Sequence, residues 1–213
     1  MRNVRVFFKK YGRMKFASHL DMNRLMTRII RLSGIPVWYT EGFNQHPYIT
    51  FALPLSLGFT SEHEIMDIRV MDDNFSNEEV LNALSRVLPE GLDVFDVRTD
   101  GKKAGKIAFA EFLISFESAD ESFAERLEAF LSQDSIITEK KTKKGRMKEI
   151  DMAPMIKSFS LEKSDIITLK ITLAAGGENN LNPTLLLDSF GVLPDYSVCR
   201  TMIYDENMEC FYW

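Results

Sequence analysis

The sequence predicts an α+β fold made of two tandem ferredoxin-like (βαββαβ) domains with antiparallel sheets. Strand and helix patterns follow one another as β-α-β-β-α-β over residues 1–100, which is the element order of the split βαβ fold. The segment GKKAGK at 101–106 has the composition of a linker. A second set of strand and helix patterns then covers residues 107–213. We therefore expect one domain on each side of the linker.

The first half begins with a strand and a capped helix. NVRVFFKKYG alternates as a strand does and stops at Gly12. In SHLDMNRLMTRIIRLSG, Ser18 is the expected N-cap, Asp21 occupies the capping-box position, and Gly34 ends the helix. We expect its apolar stripe to comprise Leu20, Leu25, Ile29 and Leu32. Three arginines fall on another face: Arg24, Arg28 and Arg31.

The rest of the first half reads as strand, helix and strand. PVWYTEGF and YITFALPLSLGF are extended, and EHEIMDIRVMD alternates as a further strand. SNEEVLNALSRVLPEG is predicted to be a helix, with Ser76 as cap and Glu79 at the capping-box position. LDVFDVRT closes this half as a short strand.

The second half repeats the pattern with different residues. IAFAEFLISFES and ESFAERLEAFLSQ are predicted as strand and helix, and SIITEKKTKKGRMKEIDM as a strand with a charged hairpin tip around Gly145. DIITLKITLAA follows as a strand. NPTLLLDSFG is a short helix with Asn182 as cap and Pro183 at its first position. YSVCRTMIYDE is the last strand.

The composition excludes several functional classes. The chain of 213 residues is 45% hydrophobic and 27% charged, which is typical of globular proteins. It has no run of about 20 apolar residues and no signal-peptide pattern, so we expect a cytoplasmic protein without membrane contact. Cys199 and Cys210 form no CxxC motif and cannot hold an iron–sulfur cluster alone. Walker and GxGxxG motifs are also absent from the sequence, so no cofactor is predicted.

Basic residues concentrate in the first segment of a chain whose net charge is −5. Residues 1–36 contain nine Lys or Arg and one acid, Asp21. Such a segment presents a positive surface to an anion such as RNA. The sequence KKTKKGRMK forms a second cluster, either a solvated hairpin tip or a finger that tracks phosphates. The predicted RNA-binding residues are Arg13, Lys15, Ser18, Arg24, Arg28, Arg31, Glu41, Asn44, His46, Lys143, Lys144 and Arg146.

The three histidines differ in their surroundings. His19 falls in the first helical turn, and His46 is restricted by the proline that follows it. His63 lies between two glutamates and is expected to be a solvated surface residue. His19, His46 and Asp21 are the candidate catalytic residues, as an acid/base pair acting on RNA. A two-histidine metal site with Asp21 is the alternative, but a close spacing such as HxxxH is missing, so no metal is predicted.

Two long N-terminal motifs resemble a known family. GRMKFASHLD and EGFNQHPYITFALPL are similar to signatures of the bacterial radical SAM-linked protein family, a domain of unknown function, and EIDMAPMI, GGENNLNP and CRTMIY extend the likeness. Gln45 stands where that family usually has proline, and Tyr48 where a basic residue is common. The matching positions are Arg13, Ser18, His19, Asp21, Glu41, Gly42, Asn44, His46, Pro47, Asp151, Pro154, Asn182 and Arg200.

The resemblance implies a partner more than an activity, because such domains are fused to or encoded beside radical SAM enzymes. Together with the basic segment, it favours a non-enzymatic accessory protein that binds RNA, such as tRNA or rRNA, and works with a radical SAM enzyme in RNA modification or processing. The alternatives are a metal-independent RNA-processing nuclease that uses His19 and His46, and a pure protein–protein adaptor.

Overall fold

The computed structural model describes residues 1–99, 101–141, 147–177 and 179–211, apart from the side chains at 140, 141 and 148. The protein has a mixed α+β fold with mostly antiparallel strands, and the described residues form four α-helices. It divides into two compact units. The first is Met1–Gly105 together with Phe211, and the second is Lys106–Cys210. Among the described helices, none has the length and apolar character needed to cross a membrane.

In its described residues the first unit has the element order β-α-β-β-α-β. The elements are β1 (Arg2–Lys10), α1 (His19–Ser33), β2 (Ile49–Phe51), β3 (Thr60–Val70), α2 (Asn77–Ser85) and β4 (Leu92–Arg98). The strand order is β4-β1-β3-β2, and neighbouring strands are antiparallel. A single 3₁₀ segment, Gly12–Phe16, leads from β1 towards α1.

The second unit has the same sheet order with an added hairpin. Its described elements are β5 (Ile107–Phe116), α3 (Glu121–Leu131), β6 (Ile137–Lys141), β7 (Met147–Asp151), β8 (Ile156–Lys163), β9 (Ile167–Ala174), α4 (Pro183–Phe190) and β10 (Tyr196–Asp205). The strand order is β10-β5-β9-β8, whereas β6 and β7 pair only with each other as a separate two-stranded sheet. The segment predicted as a strand with a charged hairpin tip therefore lies, in its described residues, outside the four-stranded sheet of this unit.

Strand β8 is the element that the sequence pattern did not reveal. It lies at the end of the strand order, beside β9 only. Its pairing shifts register between Ile156 and Ser158, so the half-buried positions Ile156, Phe159 and Leu161 are spaced three and then two apart. That irregular spacing removes the strict alternation by which a strand is recognised.

The core of the first unit corrects the predicted stripe of α1. Leu20 and Leu32 are 57% and 61% exposed, so they do not face the sheet. The buried residues of α1 are Met22, Met26, Ile29 and Ile30, whose spacing of four, three and one defines a single helix face. They pack with the residues of β1 and β3 that point the same way, which are Val4, Val6, Phe8, Met66, Ile68 and Val70.

His63 is buried rather than solvated. Its exposure is 3%, and its ring lies 5.6 Å from that of Phe7 and 6.0 Å from that of Phe95, measured between centroids. The prediction was wrong because it relied on the flanking glutamates. Neighbours in a strand point to opposite faces, and here Glu64 is also buried while Glu62 is exposed.

Candidate functional site

The start of α1 has the predicted capping box. The Asp21 amide donates to Ser18 Oγ at 3.2 Å, and Asp21 Oδ2 accepts from the Ser18 amide at 3.1 Å and from Ser18 Oγ at 2.6 Å. These hydrogen bonds hold the pKa of the Asp21 carboxyl below its usual value, helped by the positive charge of Arg24. A carboxylate stabilised in this way is a weaker base than a free aspartate, so the geometry gives Asp21 a capping role.

Replacing Asp21 by asparagine is expected to flatten the acid side of the stability profile. Because the pKa of Asp21 is lowered on folding, its contribution is complete above about pH 4, the usual aspartate range, and is lost as the pH falls through the lower folded-state value. The thermal unfolding midpoint of Asp21→Asn should therefore fall less steeply than that of wild type below about pH 4. Asp165→Asn, at an exposed position outside any helix cap, is the control, and equal slopes for all three proteins would contradict the prediction.

His19 lies at the mouth of a very small cavity. Its Nε2 accepts from Asn23 Nδ2 at 3.0 Å, and its ring meets Phe51 edge-on at 5.5 Å between centroids. The cavity is also lined by the buried side chains of Lys10 and Glu64 and has a volume of about 10 Å³. This volume is about that of a single water molecule, so the cavity cannot hold a substrate.

Residues 41–46 form a closed, exposed loop. Thr40 donates its amide to the His46 carbonyl at 2.9 Å, and Tyr48 donates to the Trp38 carbonyl at 2.9 Å. Gly42 has φ +116°, which allows the chain to turn as predicted. Every residue from 41 to 46, including the predicted Glu41 and Asn44, is exposed. The loop therefore presents its side chains to solvent rather than to the core.

His46 is oriented within this loop by local hydrogen bonds. Its Nδ1 lies 3.0 Å from the Asn44 carbonyl and 3.1 Å from Thr40 Oγ1. A carbonyl oxygen only accepts, so Nδ1 is the donor in that pair. His19 and His46 are thus held by different neighbours. In the described part of the chain, no group of three or more His, Cys, Asp or Glu residues is placed to bind a metal ion.

The structure separates the nine basic residues of the first segment into two groups. The four in β1 are engaged: Arg2 donates to Asn77 and to the Phe75 carbonyl, Arg5 pairs with Asp67, Lys9 pairs with Glu62, and Lys10 donates to the Ala17 carbonyl.

The other five basic residues follow β1 and include the predicted phosphate contacts. Arg13, Arg24, Arg28 and Arg31 are exposed, and Lys15 is half-buried. The ion pairs described for the protein include none of these five.

Apolar side chains are exposed beside these basic residues. Phe16 is 68% exposed and has the Lys15 ammonium 5.1 Å from its ring centroid. Leu20 and Leu57 are 57% and 63% exposed, and the Gly58 amide donates to the Lys15 carbonyl at 2.8 Å, which brings the Leu57 loop beside the 3₁₀ segment. We call Arg13, Lys15, Phe16, Arg24, Arg28 and Arg31 the basic face.

The predicted residues of the second half have structural roles where they are described. Asp151 Oδ1 accepts from the amides of Ile136 and Ala153 at 2.8 and 3.0 Å. Asn182 caps α4 by accepting from the Thr184 amide, and Arg200 is 2% exposed. Pro154 lies in a 3₁₀ turn. The predicted RNA contacts Lys143, Lys144 and Arg146 lie outside the described residues.

The first unit contains a cleft that was not predicted from the sequence. It has a volume of about 370 Å³ and is lined by residues of β1 and β3, by Tyr48 and Thr50, and by Thr99, Gly101, Lys103 and Ala104. Arg69 and Asp67 on β3 contribute to it. The available signal was the alternation Ile65, Asp67, Arg69 in β3, which places two charged side chains on one face of a strand.

A comparison with protein families identifies the chain. A family model described as an uncharacterised protein conserved in bacteria (DUF2344) matches residues 3–183. The chain belongs to this bacterial family. The match includes both long N-terminal motifs and ends just after Asn182, so the basic face and the cleft lie within the family domain. No curated protein matches the chain.

A solved structure has a similar fold. A chain in the crystal structure of a Cbf5–Nop10–Gar1 complex superposes with a TM-score of 0.51 at 9% identity. The match covers 95% of this DUF2344 protein but only 50% of the solved chain, so the protein spans about half the length of that relative. At this identity the likeness concerns the fold alone.

Proposed function

We propose that this protein is a non-catalytic accessory protein that binds single-stranded segments of RNA through the basic face and works with a radical SAM enzyme in RNA modification or processing. The observation that carries the proposal is the row of exposed arginines on α1, Arg24, Arg28 and Arg31, together with the exposed Phe16 of the 3₁₀ segment that precedes this helix. The radical SAM partner rests on the sequence resemblance of the two N-terminal motifs.

The arginine row has the geometry of a phosphate-binding strip. At a rise of 1.5 Å per residue, the three positions extend over about 10 Å of helix. All three are exposed, and the ion pairs found among the described residues include none of them. Asp21, whose charge interacts with Arg24, is held in the capping box. A polyanion can therefore replace solvent counterions along this strip.

Phe16 adds a second element that favours single strands. Its exposed ring offers a face on which an unpaired base can stack. The Lys15 ammonium beside the ring can contact the phosphate of the same nucleotide. Proteins that bind single-stranded RNA combine these two elements, a positive strip and an aromatic platform.

Replacing Arg24, Arg28 and Arg31 together by glutamine tests the proposal. The variant should bind a single-stranded RNA of about 12 nucleotides roughly tenfold or more weakly. Its log affinity should depend less steeply on log salt, by about 0.7 for each lost phosphate contact. Fluorescence anisotropy between about 50 and 200 mM salt gives both values.

A control variant with the same net charge isolates the position of the charges. Arg86, Lys106 and Arg126 are exposed cations outside the sequence of α1, and their triple replacement by glutamine should leave affinity and salt slope close to those of wild type. Equal losses in the two triple variants would show that only net charge matters. If the wild-type protein did not bind RNA at low salt, the RNA-binding function itself would be refuted.

Two finer assignments belong with this proposal. We assign both units to the ferredoxin-like fold, because the order β4-β1-β3-β2 recurs as β10-β5-β9-β8 with β6 and β7 as an insertion. We also propose that the protein is cytoplasmic, because Cys199 and Cys210 form no disulfide and thiols stay reduced in that compartment.

A further inference from the structure

We propose that the cleft of the first unit is a separate binding site for a nucleotide, with Arg69 and Lys103 binding its phosphate. The cleft lies on the face of the sheet opposite α1, because Val4 and Val6 pack with the helices and Arg5 between them points the other way. It does not depend on the basic face, and it would exist if that face bound no RNA.

The charges that line the cleft leave it positive. Its described lining includes three cations, Arg5, Arg69 and Lys103, and one carboxylate, Asp67. Asp67 is already neutralised: its Oδ1 accepts from Arg5 Nε at 2.7 Å and its Oδ2 from Arg5 Nη2 at 2.9 Å. The ion pairs found among the described residues include neither Arg69 nor Lys103. Within the described lining, two positive charges therefore remain for an anionic ligand.

Arg69 is held in place by aromatic rings rather than by an acid. Its guanidinium carbon lies 4.2 Å from the ring centroid of Tyr48 and 5.0 Å from that of Trp38. The two rings are themselves in contact, 5.7 Å apart between centroids. Stacking fixes the plane of a guanidinium without using its N–H donors. Arg69 is thus preorganised to donate to a phosphate.

The cleft also has the size and polarity of a nucleotide site. Its volume of about 370 Å³ falls within the range of about 300–1,000 Å³ found for small-ligand pockets. The exposed side chains of Asn3, Thr50 and Thr99 line it and can hydrogen-bond a base or a sugar. An inorganic anion would use the charges but not these groups, so we expect the cleft to prefer a nucleotide.

The nucleotide could be free or part of an RNA strand, and titrations separate the two sources. The probes are AMP, UMP, inorganic phosphate and a single-stranded RNA of about 12 nucleotides, each followed by NMR of the Thr50, Thr99 and Gly101 amides. We expect AMP or UMP to shift these amides and to bind at least about tenfold more tightly than phosphate. If RNA shifts these amides and binds more tightly than AMP, the natural ligand is a nucleotide within an RNA strand. If RNA and AMP bind with equal affinity, the natural ligand is the free nucleotide.

Variants test the two assigned cations. Arg69→Gln and Lys103→Gln should each weaken AMP binding, roughly tenfold for Arg69, since a charge-assisted hydrogen bond of this kind is lost. Arg86→Gln, at an exposed position that belongs neither to the cleft lining nor to the basic face, is the matched control and should not change the affinity for AMP. Lys103 is exposed, so Lys103→Gln is expected to fold. It therefore tests the site even if Arg69→Gln does not fold.

The outcomes of this test do not depend on those of the RNA test. The triple α1 variant should lose RNA binding through the basic face but keep the AMP-dependent shifts at Thr50 and Thr99. The nucleotide site is refuted if AMP binds no more tightly than inorganic phosphate, or if neither cation variant changes its affinity.

Discussion

Replacing Phe8 by alanine is expected to lower the free energy of unfolding by about 3–5 kcal/mol. Phe8 is 0% exposed in the core between β1 and the helices, and its ring meets Phe51 edge-on at 6.3 Å between centroids. The substitution removes an entire buried ring and leaves a cavity that its neighbours can fill only in part. Urea unfolding followed by circular dichroism measures the difference.

Phe43 provides the matched control for this substitution. It is a phenylalanine of the same unit, but it lies in the loop 41–46 and is 110% exposed relative to the reference state. Phe43→Ala should therefore change the free energy of unfolding by no more than about 0.5 kcal/mol. Similar losses in the two variants would mean that Phe8 does not occupy the core position assigned to it.

Replacing Gly176 by alanine should destabilise the protein by about 3 kcal/mol. Gly176 has φ +81°, and an added Cβ would lie 2.6 Å from the Ile107 carbonyl oxygen. The left-handed backbone and the contact with another backbone atom both oppose a side chain at this position. Because Ile107 begins β5 and Gly176 follows β9, relief of the contact would require the loop to move away from the sheet.

The adjacent glycine separates these two contributions. Gly177 also has a positive φ of +50°, but an added Cβ would meet no atom within 4 Å. Gly177→Ala should therefore cost only about 1 kcal/mol, from backbone strain alone. Thermal and urea unfolding measure how much stability each of the two variants loses. Equal losses would contradict the prediction that the close approach to Ile107 excludes a side chain at Gly176. The close approach to Ile107 therefore gives Gly176 a packing role that Gly177 does not have.

Features that depend on a few neighbouring residues could be predicted from the sequence. Ser18 and Asp21 form the capping box of α1, and Ser76 and Glu79 form that of α2, as their spacing indicates. The signal is complete within four residues, because the cap bonds join a side chain to amides in the same turn.

Features that depend on which faces are covered could not be predicted in this way. The methionines of α1 face the sheet while Leu20 and Leu32 face solvent. Methionine and leucine are both hydrophobic, so hydrophobicity alone does not predict which of them is buried. The prediction that His63 is solvated was wrong for a related reason. Strand β3 is a central strand, and both of its faces carry buried residues.

The candidate site shows both cases. The arginines at 24, 28 and 31 follow from helical periodicity, and all three are exposed as their positions indicate. The cleft instead depends on the register of β1 against β3, which places Asn3 opposite Arg69 and Arg5 opposite Asp67. Those pairs are more than sixty residues apart in the chain, so no local pattern reveals them.

The stacking of Arg69 on Trp38 and Tyr48 has a practical consequence for spectroscopy. Indole emission is sensitive to a nearby charge, and the Trp38 ring centroid lies 5.0 Å from the Arg69 guanidinium carbon. The sequence contains one other tryptophan, Trp213, so Trp213→Phe would leave Trp38 as the single emitter. The protein would then carry its own optical reporter beside the cleft, and ligands could be screened by intrinsic fluorescence without an attached dye.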